Sequence, residues 1–303
     1  MSIRPVLSAN PSQPTLEGAG VHLHRAFGFQ EPEAYDPFLL FDDFRNDDPR
    51  LSAKGFPWHP HRGIETITYV LAGEVEHEDS LGNKGVLGAG DIQWMTAGSG
   101  IMHQEMPIAN QRGQMHGFQL WANLPRDLKM TSPNYQDVPA VEIPVIEEDD
   151  GTKVRVIVGN FWGRAGPVDG IAADPLYLDI SVPAGVTKTF QVNTRRQAFA
   201  YVFEGAGAFA DAAVPQGVLL EKEVAGHEVN IRDLSGNRTV IRFGEGDDVR
   251  VQAGPEGLRF LLVAGAPIRE PVAWHGPIVM NTKDELRQAM SDLRNGTFIK
   301  PAH

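Results

Sequence analysis

There is no cysteine among the 303 residues. Disulfides, thiolate metal sites and cysteine nucleophiles are therefore excluded. Basic residues are scarce relative to acidic ones, with 27 Lys and Arg against 39 Asp and Glu, a formal charge of −12. No basic run occurs, which argues against a direct nucleic-acid binder, because phosphate contacts need clustered cations. No apolar stretch approaches the ~20 residues needed to span a bilayer. The first residues, Met1-Ser2-Ile3-Arg4-Pro5, lack the apolar core of a secretory signal. The expectation is a soluble, cytoplasmic protein with no membrane partner. Two enzyme signatures are also missing. Gly-rich runs such as Gly159-Asn160-Phe161-Trp162-Gly163 lack the strand-to-helix setting of a phosphate loop, and no Gly-x-Ser-x-Gly elbow occurs.

What is abundant is turn chemistry. The chain carries 32 Gly and 22 Pro, and short strand-like runs recur between them. Phe38 to Phe41, Glu65 to Leu71, Glu74 to His77, Asp91 to Met95, Ile101 to Met106 and Gly117 to Trp121 all read as strands. Many short strands at regular spacing predict a sandwich or small barrel. Residues 133–150 carry Pro133, Pro139, Pro144 and the acidic run Glu147 to Asp150, and read as a linker. Strand patterns resume at Thr152 to Val158, Leu176 to Val182 and Leu258 to Val263.

The two halves echo each other. Thr68 to Gly73 matches Ala200 to Gly205, and Gly88-Ala89-Gly90-Asp91 matches Gly244-Glu245-Gly246-Asp247. Such a repeat predicts two copies of one β-domain, divided as 1–135 and 136–303. Near the C-terminus, Thr282 and Glu285 fit a capping box, and Leu286, Ala289, Met290 and Leu293 share a helical face. A short helix over Lys283–Leu293, stopped at Asn295-Gly296, is expected.

Two His and His/Glu pairs carry the chemistry. His59-Pro60-His61 places two imidazoles on one face of a strand, since residues two apart point the same way. His103 and Glu105 do the same after Gly98-Ser99-Gly100. Two such pairs on two strands can close one metal site. Three imidazoles and a carboxylate suit Fe, Ni, Mn, Co or Zn better than Ca or Mg, and leave coordination positions open. Glu65 is the rival carboxylate, since its spacing keeps it in phase with His61. Among the other candidates, His22 and His24 read as a solvated strand face and His77 as surface. His116 reads as a hydrogen-bonded core histidine. Arg62 is expected to point away from the His pair, and Phe56 and Trp58 are candidate walls of the site.

The blocks Gly55 to Gly63, Gly90-Asp91 and Gly98 to His103 resemble the paired motifs of cupins. Phe38 to Phe44, Gln93 to Gly98, His116 to Trp121, Arg269 to Val272 and His275 to Thr282 resemble the pirin family specifically. The resemblance implies an all-β chain of two tandem cupin (jelly-roll-like) β-barrels with a short C-terminal α-helix. It implies metal in the N-terminal barrel alone, held by His59, His61, His103 and Glu105, with Glu65 set aside. The implied cofactor is one mononuclear divalent metal, Fe(II) first, with Ni, Mn, Co or Zn compatible. Aligning the repeats on their Gly turns sets Gln191, Asn193 and Arg259 against the histidines and Leu261 against the glutamate. Leu cannot ligate and Arg repels a cation.

The implied activity is that of a quercetin 2,3-dioxygenase: O2-dependent ring opening of a flavonol with loss of CO, with Glu105 as general base. The partners are then a small phenolic or flavonoid substrate and O2. The alternative that the same resemblance implies is a non-enzymatic, metal- or redox-sensing regulator that binds a partner protein.

Overall fold

The computed structural model describes residues 2–168, 172–209, 221–224, 227–230 and 234–300. Chain-order labels run β1 (Val6–Pro11), β2 (Gln13–Glu17), β3 (Val21–Phe27), β4 (Phe38–Asp43), β5 (Phe56–His61) and β6 (Ile64–Ala72). They continue with β7 (Glu74–Asp79), β8 (Lys84–Leu87), β9 (Ile92–Thr96), β10 (Ile101–Ile108), β11 (His116–Asn123) and β12 (Asn134–Val138). Strand β12 forms inside the stretch read as a linker. It pairs with β9, with Tyr135 opposite Met95.

The chain divides into two compact units, and not at one point. One comprises Gln13–Ile143, Gly170–Ala173 and Ile268–His303; the other comprises Met1–Ser12, Pro144–Asp169 and Asp174–Pro267. The expected boundary after residue 135 therefore differs from these units at both ends of the chain. Strand β1 belongs to the second unit because it pairs antiparallel with Thr239–Phe243. The C-terminal helix, expected in the second domain, belongs to the first unit.

The first unit has a seven-stranded sheet in the order β12-β9-β6-β11-β4-β3-β2 and a four-stranded sheet in the order β5-β10-β7-β8. The alternation that predicted strands decides what faces inward. Along β10, Ile101, His103 and Glu105 are buried while Met102, Gln104 and Met106 are half-buried. Along β7, Val75, His77 and Asp79 are buried while Glu74 and Glu76 are exposed. Period-2 geometry leaves no other arrangement once one face is covered. The C-terminal segment adds the hairpin Ala273–His275/Ile278–Met280 and one helix, α1 (Lys283–Asn295). The capping box forms as expected: Thr282 accepts from the Glu285 backbone N–H, and the Glu285 carboxylate accepts from the Thr282 backbone N–H. Gly296 ends the helix at φ 70°, a left-handed conformation that glycine adopts without strain.

The second unit is built on a nine-stranded sheet around an apolar core that includes Phe190, Val249, Val251, Phe260 and Leu262. Its topology corrects the alignment made on the Gly turns. Thr239–Phe243 pairs with Gln197–Phe209 as β9 pairs with β6. The turn at Gly244–Asp247 therefore stands where Ala97–Gly100 stands in the first unit, one turn later than the motif match set it. The strand equivalent to β10 begins at Asp248 and pairs with Thr187–Gln191 as β10 pairs with β5. The positions facing one another there are Val249 and Phe190. Arg259 and Leu261 lie on a later stretch, where Arg259 forms an ion pair with Asp179 at 2.7 Å. At this pairing, hydrocarbon side chains stand where two imidazoles face one another in the first unit.

Candidate metal centre

Strands β5 and β10 run antiparallel with His103 opposite His59 and Ile101 opposite His61. His59 and His61 lie two apart and His103 directly across, so all three rings share one face. Ring centroids are 4.3 Å apart for His59 and His103, 4.9 Å for His59 and His61, and 5.0 Å for His61 and His103. One nitrogen of each ring lies within 4.8 Å of the others. Among the described residues this is the one such cluster of metal-ligating side chains.

The protonation pattern suits a cation. His59 Nδ1 lies 2.9 Å from the Pro57 carbonyl and His61 Nδ1 lies 3.3 Å from the Pro277 carbonyl. A carbonyl can only accept, so in the neutral rings Nδ1 carries the proton and Nε2 keeps its lone pair. Burial lowers the pKa of His59. Burial, and then the neighbouring imidazoles, push His61 and His103 well below the ordinary value. The rings are therefore neutral at neutral pH. Both nitrogens of His103 are buried without a hydrogen-bond partner. Burying an imidazole so costs free energy unless something accepts its lone pair. A metal ion held by Nε2 of His59 and His61 and by one ring nitrogen of His103 fits that requirement.

Glu105 shares the inward face but stands outside the close set. The pairing shifts by a bulge between His103 and Glu105, which puts Glu105 opposite Phe56. Its carboxylate lies 3.1 Å from the Thr68 hydroxyl, which is 2.6 Å from Gln119 Oε1. Burial raises the Glu105 pKa to about 7, opposed by the Thr68 hydrogen bond. Glu65 is placed elsewhere. It sits on the face of β6 opposite to Thr68 and accepts from the Thr96 hydroxyl at 2.9 Å. That alternation removes it as a ligand to the three imidazoles.

A cavity of about 410 Å³ opens from His59, His61 and Glu105. Its walls include Leu23, Leu40, Phe44, Phe56, Val75 and Met115. Trp121 also lines it, edge-on to His61 with centroids 5.0 Å apart. Phe56 is a wall as expected; Trp58 is 45% exposed and is not part of the lining. Arg62 turns away from the His pair, as its phase predicted. It donates to the Ser99 and Phe298 carbonyls and pairs with Asp292 at 2.8 Å. His22 is exposed. His116 is a half-buried partner of Asp47 at 2.8 Å rather than a core residue.

His77 was expected at the surface and is buried, with its ring stacked on Tyr135 at 6.0 Å. The reason lies across the strand pair. Gly85 stands opposite His77, and any Cβ there would collide with the imidazole. Sequence reading missed this, and it missed the Pro277 carbonyl, Thr68 and Gln119. A backbone acceptor has no residue-type signal. The alternation of Thr66, Thr68 and Val70 within β6 was the available clue to Thr68.

The comparisons agree with this architecture. Residues 20–122 match the pirin family model, and residues 177–299 match the model described as the pirin C-terminal cupin domain. A pirin-like protein of Caulobacter vibrioides is 46% identical over 299 residues, covering 98% of this chain and 100% of its own. A Pseudomonas aeruginosa protein whose name proposes quercetin 2,3-dioxygenase activity is 40% identical over 300 residues, covering 97% of this chain and 98% of its own. The crystal structure of a quercetin 2,3-dioxygenase from Acinetobacter baumannii superposes with a TM-score of 0.84 at 30% identity, covering 98% of this chain and 99% of that one. Two cupin domains, one carrying three converged imidazoles and the other an apolar interior, together with these matches over most of the chain, make it a member of the pirin family.

Proposed function

We propose that this protein is a metal-dependent dioxygenase that opens flavonols of the quercetin type with O2. The observation that carries the reading is the set of three neutral imidazoles, two of which, His59 and His61, stand at the wall of a largely apolar cavity. His59, His61 and His103 hold the ion, and Glu105 completes the set from the same face. The ion is divalent, since mixed imidazole and carboxylate ligands suit the mid-row metals, and Fe(II) comes first because the pirin resemblance implies it. When bound, it supplies Lewis acidity and open positions for substrate and O2.

The chain's own residues supply the rest. The apolar walls take the flat ring system, and Trp121 confines it beside His61. Glu105 receives the proton of the flavonol 3-hydroxyl, as the buried carboxyl that shares the inward face of β10 with His103. The Thr68 hydroxyl, set between Glu105 and Gln119, holds that carboxyl in one orientation. The net reaction joins one O2 to the flavonol and releases one CO with the ring-opened ester. That the P. aeruginosa and A. baumannii relatives carry quercetinase names supports the assignment.

The experiment is direct. Metal-free protein is reloaded with Fe(II), given quercetin and O2, and assayed for CO and the cleaved ester. Stoichiometric CO supports the proposal. Absence of CO with Fe, Ni, Mn and Co in turn, on protein shown to hold each metal, overturns it in favour of a regulator that binds a partner protein.

A further inference from the structure

The cavity has a second polar pole that the metal does not use. Five residues on adjacent strands stand in one row across the seven-stranded sheet. Gln93 of β9 faces Thr68 of β6, Thr68 faces Gln119 of β11, Gln119 faces Asp42 of β4, and Asp42 faces Arg25 of β3. Cross-strand partners point to the same side of a sheet. Since Thr68 points at Glu105, the whole row points inward. Thr68, Gln119, Asp42 and Arg25 all line the cavity. Asp42 lies two strands from Thr68, roughly 10 Å by ordinary strand spacing.

The far end of this row is built, not incidental. Arg25 donates to both oxygens of Asp42, Nε to Oδ1 at 2.8 Å and Nη2 to Oδ2 at 2.7 Å. Its Nη1 pairs with Glu17 at 2.8 Å, and Glu17 lines the same cavity. The guanidinium is thus turned to carboxylates on two sides, and the group carries two negative charges against one positive. Asp42 is buried, and the bidentate clamp fixes its plane. Phe29 covers the guanidinium at 5.6 Å and also lines the cavity. A carboxylate held so has lone pairs left to accept from a ligand. Its surroundings reject a second anion.

We propose that Asp42, held by Arg25, is the distal anchor of this cavity and makes it select uncharged ligands with a hydrogen-bond-donating hydroxyl about 10 Å from the Thr68 end of the row. The ligand class is then a polyphenol with hydroxyls at both ends of a flat ring system; organic acids are excluded. This rests on the flavonol reading above and adds which flavonols the site prefers. Asp42 acts on binding and not on the reacting atoms.

The test separates the two layers. Dissociation constants are measured without O2 on the metal-loaded protein, by quenching of tryptophan fluorescence, for quercetin and for 3-hydroxyflavone, which lacks the distal hydroxyls. Wild type is expected to bind quercetin at least about tenfold more tightly, the usual order for a hydrogen bond to a charged group. Asp42→Asn is expected to collapse that ratio and leave 3-hydroxyflavone binding unchanged. A flavone carrying a carboxylate in place of the distal hydroxyls is expected to bind wild type more weakly than 3-hydroxyflavone does. Equal binding of quercetin and 3-hydroxyflavone to wild type overturns the anchor alone and needs no variant. Binding of neither overturns the flavonol reading and the anchor with it.

Discussion

Replacing Asp292 with Ala should cost the first unit about 3 kcal/mol or somewhat more. Arg62, which follows His61, is 2% exposed at its side chain, and Asp292 is 10% exposed. Asp292 lies 2.8 Å from Arg62 Nη1 and 3.1 Å from Lys300 Nζ, and accepts from Gln288 at 2.9 Å. Removing one partner of a buried ion pair leaves the other charge uncompensated, at about 3–5 kcal/mol. The low end applies because Arg62 keeps the Ser99 and Phe298 carbonyls and its stacking over Phe298 at 4.2 Å. For a unit of this size the melting temperature should fall by roughly 6–12 °C. Tryptophan fluorescence reads the right unit, because Trp58, Trp94, Trp121 and Trp274 all lie in it. The pH dependence has a definite sign. Hydrogen bonds from Arg62, Gln288 and Lys300 outweigh burial and hold the Asp292 pKa below its ordinary value. Its contribution is therefore complete above the unfolded pKa, about 4, and is lost as pH falls through the folded one. Wild type should show this acid loss and Asp292→Ala should lack it. A variant melting within 2 °C of wild type, with an unchanged acid limb, would refute the reasoning.

Three further outcomes follow from the geometry. His103→Ala should abolish the rise in melting temperature that added metal produces in wild type, because stabilisation by a ligand tracks its binding; a retained rise argues that the imidazole is no ligand. Glu105→Gln should lower turnover about 100-fold or more at saturating metal, the usual order for a general base, with an unchanged rate as the contrary result in the CO assay. Gly85→Ala should destabilise the first unit by about 1–3 kcal/mol in urea unfolding, since the new methyl group drives into His77 and disturbs its stacking on Tyr135. Tolerance of that change would mean that the His77 ring is free to move.

The local pattern in the sequence carried far. Period-2 alternation identified both strands that bring the three imidazoles together, the inward face of β10 and the outward turn of Arg62. The Thr282 and Glu285 pair located the helix start to the residue. Motif spacing failed where the chain pairs with distant partners. Gly244–Asp247 repeats the wording of Gly88–Asp91 but stands at a later turn, and only the pairing of Thr239–Phe243 reveals this. The unit boundary was hidden for the same reason: β1 and the segment after residue 268 join partners far away in sequence. Glu65 looked in phase with His61 by counting. Gly63 at φ 77° breaks the strand between them, so the count does not carry across. His77 was misread because the space that admits it is made by a glycine on another strand.

The most direct test of the account is anomalous diffraction at the edge of the metal that co-purifies with the protein. The account predicts one peak per chain, bonded to His59, His61, His103 and Glu105, with none in the second barrel. A peak elsewhere, or protein that takes up no metal while those three imidazoles remain folded together, would contradict it.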